Sequence, residues 1–292
     1  MKFMHIRHML LVLVLFFSPL AAAINNLEGY EFIECTFEPR ERSSRKHHEG
    51  EFTLIDEKDS KYESFTHPHI PVKEGTSQNW SGYAAATSLT SPANNSVDAV
   101  YGSWIVPTLA SATHNTWCSL WVGIDGYSSS SVEQLGTEHD WVNGQQSNYA
   151  WFEMYPNASY QINGFPVNNN DLISASVVYT ANGVFVLTIV NQTHKVYTTI
   201  PTSRTTSTSA KRSSAEWVLE APYSGSILPL SHFNVANFSS CFATINNIFG
   251  PINDQFWKDD MLTMITSSGA QKAVPTALSN NGENFSVVWH HE

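Results

Sequence analysis

The sequence predicts an all-β protein, a sandwich or barrel of antiparallel strands with little helix. Three observations predict it. Residues 76–292 carry only 14 acidic and 6 basic side chains and are rich instead in Ser, Thr, Asn, Gly and aromatics, a composition of strands and turns. From Gln78 onward strand-like runs succeed one another, each bounded by Asn, Gly, Ser or Pro clusters. Sustained helical periodicity is hard to find, and the best helical candidate is a short one near Asn253 to Asp260. Regular short strands with turn signals imply a sandwich or barrel, with inner faces packed by aromatics and valines.

The elements follow in order. Lys2 and Arg7 precede an unbroken apolar run from Met9 to Phe17, which Ser18-Pro19 breaks, and Ala21-Ala22-Ala23 offers small residues for cleavage. The run is too short to span a bilayer, so residues 1–23 read as a secretory signal peptide and the protein as secreted, extracellular or periplasmic. Residues 24–75 hold 12 acidic and 7 basic side chains and read as a charged N-terminal extension or pro-segment with little core of its own. Residues 76–292 form the main domain. Its expected strands are Trp80–Ala86, Ala99–Val106, Ser119–Ile124, Tyr149–Tyr155, Leu172–Tyr179, Val184–Asn191, Lys195–Ile200, Glu216–Leu219 and Phe285–His290.

Several function classes are disfavoured. A formal net charge of −11 argues against nucleic acid and anionic membranes as partners. Cys35, Cys118 and Cys241 are too few for a disulfide scaffold, and two readings stay open: Cys118 paired with Cys241 in an oxidising compartment, or three buried or free thiols. Thr137-Glu138-His139-Asp140 lacks the second histidine of a zinc-peptidase helix, and Gly126-Tyr127-Ser128 is no nucleophile elbow. Asp-Thr-Gly and Asp-Ser-Gly triplets are absent, as is a Cys/His set with zinc spacing. What remains is a set of carboxylates embedded in aromatic strand sequence: Asp125 after WVGI, Glu153 in YAWFEMYP, and Glu216 in SAEWVLEAP with Glu220 four residues on. Strand alternation puts Glu216 and Val218 on one face and Trp217 and Leu219 on the other. Carboxylates beside apolar neighbours are where pKa values move and acid–base catalysis becomes available.

The segments QNWSGYAAA (78–86), VYGSWIVP (100–107), SLWVGIDGYSSSSVEQLGT (119–137), YAWFEMYP (149–156), SAEWVLEAP (214–222) and FSVVW (285–289) resemble those of the glutamic peptidases, the eqolisin family of secreted acid endopeptidases. The resemblance runs in order from about Gln78 to His290. It implies a sandwich of two packed antiparallel sheets of about seven strands each, concanavalin- or lectin-like, and a catalytic dyad of Gln134 and Glu216. It also maps Trp121, Asp125, Trp151, Glu153 and Tyr155 onto supporting or cleft positions. Glu138 stands where the family usually has Asp, which lengthens the side chain by one methylene.

The implied chemistry is metal-free and cofactor-free hydrolysis of polypeptide substrates by a chain acting as a monomer. Glu216 activates a water as general base and later returns a proton, while the Gln134 amide stabilises the oxyanion. A carboxylate with an ordinary pKa near 4.3 serves in acid, where histidine is protonated. Two alternatives stay open: a carbohydrate-binding sandwich using exposed Trp and Tyr, and an acid glycoside hydrolase pairing Glu153 with Glu216.

Overall fold

The computed structural model describes residues 27–40, 75–203, 210–279 and 281–292. The expected signal peptide and most of the expected N-terminal extension lie outside the described residues. No helix forms among the described residues. The strands, in chain order, begin with β1 (Glu31–Phe32), β2 (Thr36–Pro39), β3 (Thr76–Ser77), β4 (Trp80–Ala86), β5 (Val97–Ile105) and β6 (Thr116–Ile124). They continue with β7 (Val132–Val142), β8 (Gln145–Tyr155), β9 (Tyr160–Asn163), β10 (Leu172–Ala181), β11 (Val184–Asn191) and β12 (Val196–Ser203). The last are β13 (Ser214–Glu220), β14 (Val235–Ile245), β15 (Ile248–Pro251), β16 (Lys258–Ile265), β17 (Gln271–Pro275) and β18 (Phe285–Trp289).

They build two layers. The front layer runs β16–β4–β13–β6–β7–β8–β9–β2. The back layer runs β1–β12–β11–β10–β5–β14–β18–β17–β16–β3, with β15 folded onto the end of β14. Strand β16 belongs to both: Lys258–Leu262 pair with β4, and Thr263–Ile265 pair with β3 and β17. The pairs are antiparallel except β1–β12 and β16–β3. Residues 27–40 add a short strand to an edge of each layer, β1 at the back and β2 at the front.

Period-two alternation explains the core. Leu120, Val122 and Ile124 of β6, Leu135 of β7, and Ala215, Trp217 and Leu219 of β13 project inward from the front layer. They meet Val100 and Trp104 of β5, Ile173, Ala175 and Val177 of β10, and Phe185, Leu187 and Ile189 of β11. Each large apolar side chain buried this way contributes about 1.5–3 kcal/mol. The Trp104 indole donates to Thr137 Oγ1 at 2.8 Å, so the one polar group it carries inward is satisfied.

The nine expected strands all form. One expectation is corrected and one open choice is resolved. Asn253 to Asp260 is not helical: Asp254 N–H donates to Pro251 O in a turn, and the chain then enters β16, burying alternate residues Asp260, Leu262 and Met264. The proline and the β16 alternation override the weak helical pattern. Cys118 and Cys241 are separate buried thiols rather than a disulfide, and Cys35 is free as well. Strand β7 went unread, and it carries Gln134 and Glu138.

Candidate active site

In an ordinary sandwich the outer face of each layer meets water. The outer face of the front layer does not: Trp80, Ala84, Trp121, Tyr127, Val132, Trp151, Val218 and Leu262 form a second buried cluster there, separate from the core. Tyr149 and Tyr155 pack against its rim. Among these aromatics stand carboxylates with essentially no exposure, including Glu138, Glu153, Glu216 and Glu220.

Antiparallel register sorts this face into rows, because residues directly opposite one another project to the same side. One row reads Asp260, Ala84, Glu216, Gly123, Gln134, Glu153 across β16, β4, β13, β6, β7 and β8. The next reads Leu262, Gly82, Val218, Trp121, Gly136, Trp151. The third reads Trp80, Glu220, Ser119, Glu138, Tyr149. The two residues expected to form the dyad thus share a row and a face, with Gly123 between them. Neighbouring strands lie about 4.8 Å apart, so the Glu216 and Gln134 backbones are roughly 10 Å apart. Two long side chains can converge over a glycine across that gap. A Cβ on Gly123 would lie 2.9 Å from the Trp121 ring and 3.2 Å from Gln134 Cβ.

The surrounding hydrogen bonds position the row. Gln134 Nε2 donates to Glu153 Oε2 at 2.7 Å, which commits one amide N–H and fixes the side chain. Trp121 Nε1 donates to Glu220 Oε2 at 2.8 Å, and Asn79 Nδ2 donates to Glu220 Oε1 at 2.8 Å. Trp151 Nε1 donates to Ser119 Oγ at 2.9 Å. Asp125, at φ 73° just past β6, accepts from Arg212 N at 2.7 Å, Ser213 N at 2.9 Å and Ser213 Oγ at 2.8 Å. It therefore anchors the chain entering β13, two residues before the strand face that carries Glu216. Tyr127 O–H donates to Asp260 Oδ2 at 2.9 Å, tying the loop after β6 to the far end of the dyad row.

Glu216 is the electrostatic outlier. Burial, with like-charge repulsion from Asp125 and Glu133, pushes its carboxyl well above the ordinary value of 4.5. Ser214 and the Tyr127 backbone favour the charged form but do not reach hydrogen-bonding geometry: neither Glu216 oxygen, nor Gln134 Oε1, has a hydrogen-bond partner among the described residues. Three acceptor atoms thus sit buried in one row, wanting donors. Glu138 is engaged differently, as the ion-pair partner of buried Arg40.

All the expected site residues lie on or beside this one face: Glu216, Gln134 and Glu153 in the first row, Trp121 and Trp151 in the second, Glu138 in the third. Tyr155 lies opposite Val132, one step beyond the dyad row, and Asp125 stands at the strand end. Sequence reasoning missed Ser119, Tyr127, Asp260 and Arg40 as members of the site. It noted Glu220 without assigning it, although alternation from Glu216 through Val218 leads to it. No group of three or more His, Cys, Asp or Glu able to hold a metal occurs among the described residues. An open depression of about 380 Å³ lined by Gln78, Leu228, Lys272 and Glu292 contains none of the dyad-row residues.

Aspergillopepsin-2 of Aspergillus niger is 30% identical over 128 residues, 43% of this chain and 45% of the relative. Scytalidopepsin B of Scytalidium lignicola is 30% identical over 152 residues, 52% of this chain and 55% of the relative. The chain thus spans about half the length of these relatives. A crystal structure of scytalido-glutamic peptidase with a transition state analog inhibitor superposes with a TM-score of 0.61 at 23% identity, covering 73% of this chain and 98% of that one. The aspergilloglutamic peptidase of Aspergillus niger superposes at 0.54 with 24% identity, covering 60% and 99%. These structural likenesses carry the fold. The Peptidase A4 family model matches residues 78–287, and this chain belongs to that family, the glutamic peptidases or eqolisins.

Proposed function

We propose that the protein is a secreted acid endopeptidase that hydrolyses polypeptides with Glu216 as general base and acid and Gln134 as oxyanion donor. The observation that carries this is the row Glu216–Gly123–Gln134 on the buried outer face, with its three acceptors lacking donors among the described residues. A water between the two side chains supplies donors to both. The ionised Glu216 carboxylate takes a proton as the water oxygen bonds to the substrate carbonyl carbon and the carbonyl electron pair moves onto oxygen. Gln134 has a second amide N–H beyond the one given to Glu153, and it donates to that oxyanion. Glu216 then returns its proton to the amide nitrogen as the C–N bond breaks.

Burial raises the Glu216 pKa well above the ordinary carboxylate value and favours its protonated form. Chemistry needs its charged form, and water entering with substrate lowers its pKa toward the ordinary carboxylate range. That places the working range in acid. Peptide-based inhibitors and a tripeptide occupy the scytalido-glutamic and SCP-B structures, which supports polypeptides as the substrate class. Trp121, Trp151 and Tyr155 line the approach, and Glu153 orients Gln134.

The test is digestion of casein at graded pH by the secreted wild type, Glu216→Gln and Gln134→Ala, with N-terminal sequencing of the secreted material. Acid-dependent cleavage that resists metal chelators and that both substitutions remove is expected. Cleavage that survives Gln134→Ala, or cleavage of a polysaccharide instead of casein, overturns the reading.

A further inference from the structure

The third row of the cleft face holds a buried ion pair that peptide hydrolysis does not use. Strand β2 pairs with β9 at the edge of the front layer, and its register carries the chain toward the level of Phe152. Arg40 follows; its N–H donates to Ser159 O at 3.0 Å, and its side chain turns onto the buried face. Its Nη2 donates to Glu138 Oε2 and to Tyr149 Oη, the latter at 3.3 Å. The guanidinium lies 4.8 Å from the Trp151 ring centroid and 5.4 Å from that of Tyr149. Only 3% of Arg40 is exposed.

The chemistry of this pocket is specific. A planar cation between aromatic faces and a carboxylate is the arrangement a guanidinium fills better than an ammonium. Asp140 projects to the same face two residues beyond Glu138, also buried, and its charge acts on Arg40. Without a cation, two buried carboxylates would face each other uncompensated, which is costly. The group that fills the pocket is carried on an extended polypeptide, paired as a strand at the edge of the layer that holds the dyad. Glu138 lies four residues along β7 from Gln134, about 13–14 Å, with the Trp151 ring between. That is a distance an extended peptide crossing the dyad row also covers.

We propose that Glu138, Tyr149 and Trp151 form a substrate subsite for an arginine side chain, which Arg40 fills in cis in the intact chain. The proposal rests on the reading of this face as the peptidase cleft. A substrate arginine must displace Arg40, so occupancy in cis lowers the apparent affinity for such substrates.

The test uses the full chain and pairs of peptides that differ only by arginine or citrulline, the neutral isostere, at each position around one cleavable bond. Arg40→Ala is expected to cleave the arginine peptide at least tenfold better in kcat/KM at one fixed position. The wild type shows a smaller ratio there, and adding Glu138→Gln to Arg40→Ala brings the ratio near one. A ratio near one at every position in Arg40→Ala, or a preference that Glu138→Gln leaves intact, overturns the proposal. So does a folded Arg40→Ala that cleaves nothing while the wild type cleaves, since Arg40 would then be required rather than displaced. If Arg40→Ala does not fold, Arg40→Gln, which keeps most of the volume without the charge, takes its place. The failure of the dyad reading is separable. It shows as equal casein digestion by wild type and Glu216→Gln, or none by either. Thermal shifts of the Arg40 variant with the two peptides then still judge the pocket, arginine and citrulline peptides shifting it equally if the subsite is absent.

Discussion

The two outer faces of this sandwich come from similar strands and do opposite things. On the back layer, Ser103 and Ser174 share a hydrogen bond at 2.7 Å, and Thr188 and Thr199 share one at 3.2 Å. These are neutral hydroxyls satisfied by their cross-strand neighbours. On the front layer the same positions hold Trp121, Trp151, Glu138, Glu153, Glu216 and Glu220, all fully buried. Burying a carboxylate costs several kcal/mol unless partners satisfy it, and Glu216 is left without one at hydrogen-bonding geometry among the described residues. Folding alone would not select such a residue. A fold that carries a strained polar group on one face, and a relaxed hydroxyl ladder on the other, separates stability from chemistry by layer.

Substitutions on the two faces test that separation. Glu216→Gln is nearly isosteric and removes only the titratable group. It is expected to lower kcat by a factor of about 10²–10⁴ at unchanged or improved stability. Ser174→Ala on the back face removes two hydrogen bonds, one shared with Ser103 Oγ and one accepted from Gln192 Nε2, about 1 kcal/mol each, and is expected to leave kcat/KM within twofold of the wild type. Urea unfolding beside peptide hydrolysis reads both. A Ser174→Ala chain that loses activity at intact stability would break the contrast.

A smaller effect is expected at Glu153. Its carboxylate fixes Gln134 through a charge-assisted bond of 2.7 Å but touches no reacting atom. Glu153→Gln is expected to lower kcat about tenfold, the loss of roughly 1.4 kcal/mol of positioning, with KM little changed. A fall carried by KM alone would make Glu153 a substrate contact instead.

The fold was legible because its strands are apolar, aromatic and β-branched runs bounded by turn residues: Trp80–Ala86 and Val184–Asn191 form with the expected bounds. Strand β7 was not, for a reason tied to function. In Val132–Val142 one face carries Gln134, Gly136, Glu138 and Asp140, and the other carries Glu133, Thr137 and His139 beside Leu135. Polar residues on both faces erase the hydrophobic period on which strand reading depends. His139 stays neutral there, its pKa lowered to about 4 by burial, with Asn148 bonding its Nδ1 at 2.9 Å. The dyad itself came from ordered sequence blocks, not from periodicity. The row that unites Glu216 with Gln134 depends on register across three strands, which a single sequence does not state. Arg40 was hidden for another reason: in a charged extension, one arginine among seven basic residues carries no local sign that it will be buried.

Gly123 sharpens the comparison at the level of packing. The proposed site needs a residue without a Cβ between the strands that carry Glu216 and Gln134, and the back face has no such requirement at Ser174. Gly123→Ala places a methyl group 2.9 Å from the Trp121 ring. An overpacking cost of about 1–3 kcal/mol is expected, measured by urea midpoint. Activity should fall further than that stability loss explains, because Gln134 Cβ is the second atom displaced.

The smallest expected effect is a slope. Glu216 has a folded pKa raised above its ordinary 4.5, so the folded state holds a proton that the unfolded chain releases as pH rises past that value. Its contribution is fully favourable below about pH 4.5 and is lost progressively as pH climbs toward the raised folded pKa. Asp140, raised first by burial and then by Glu138, acts in the same direction. The wild type is therefore expected to lose stability between pH 4.5 and neutrality, and Glu216→Gln to lose less, since its side chain carries no charge to desolvate. Urea midpoints of both proteins across that range measure the difference. Parallel curves would mean that water already reaches Glu216 in the resting protein, and the contrast between an unsatisfied carboxyl on the front face and satisfied hydroxyls on the back face would have to be given up. Diverging curves would tie the acid range of the chemistry to the same buried proton that limits stability at neutral pH.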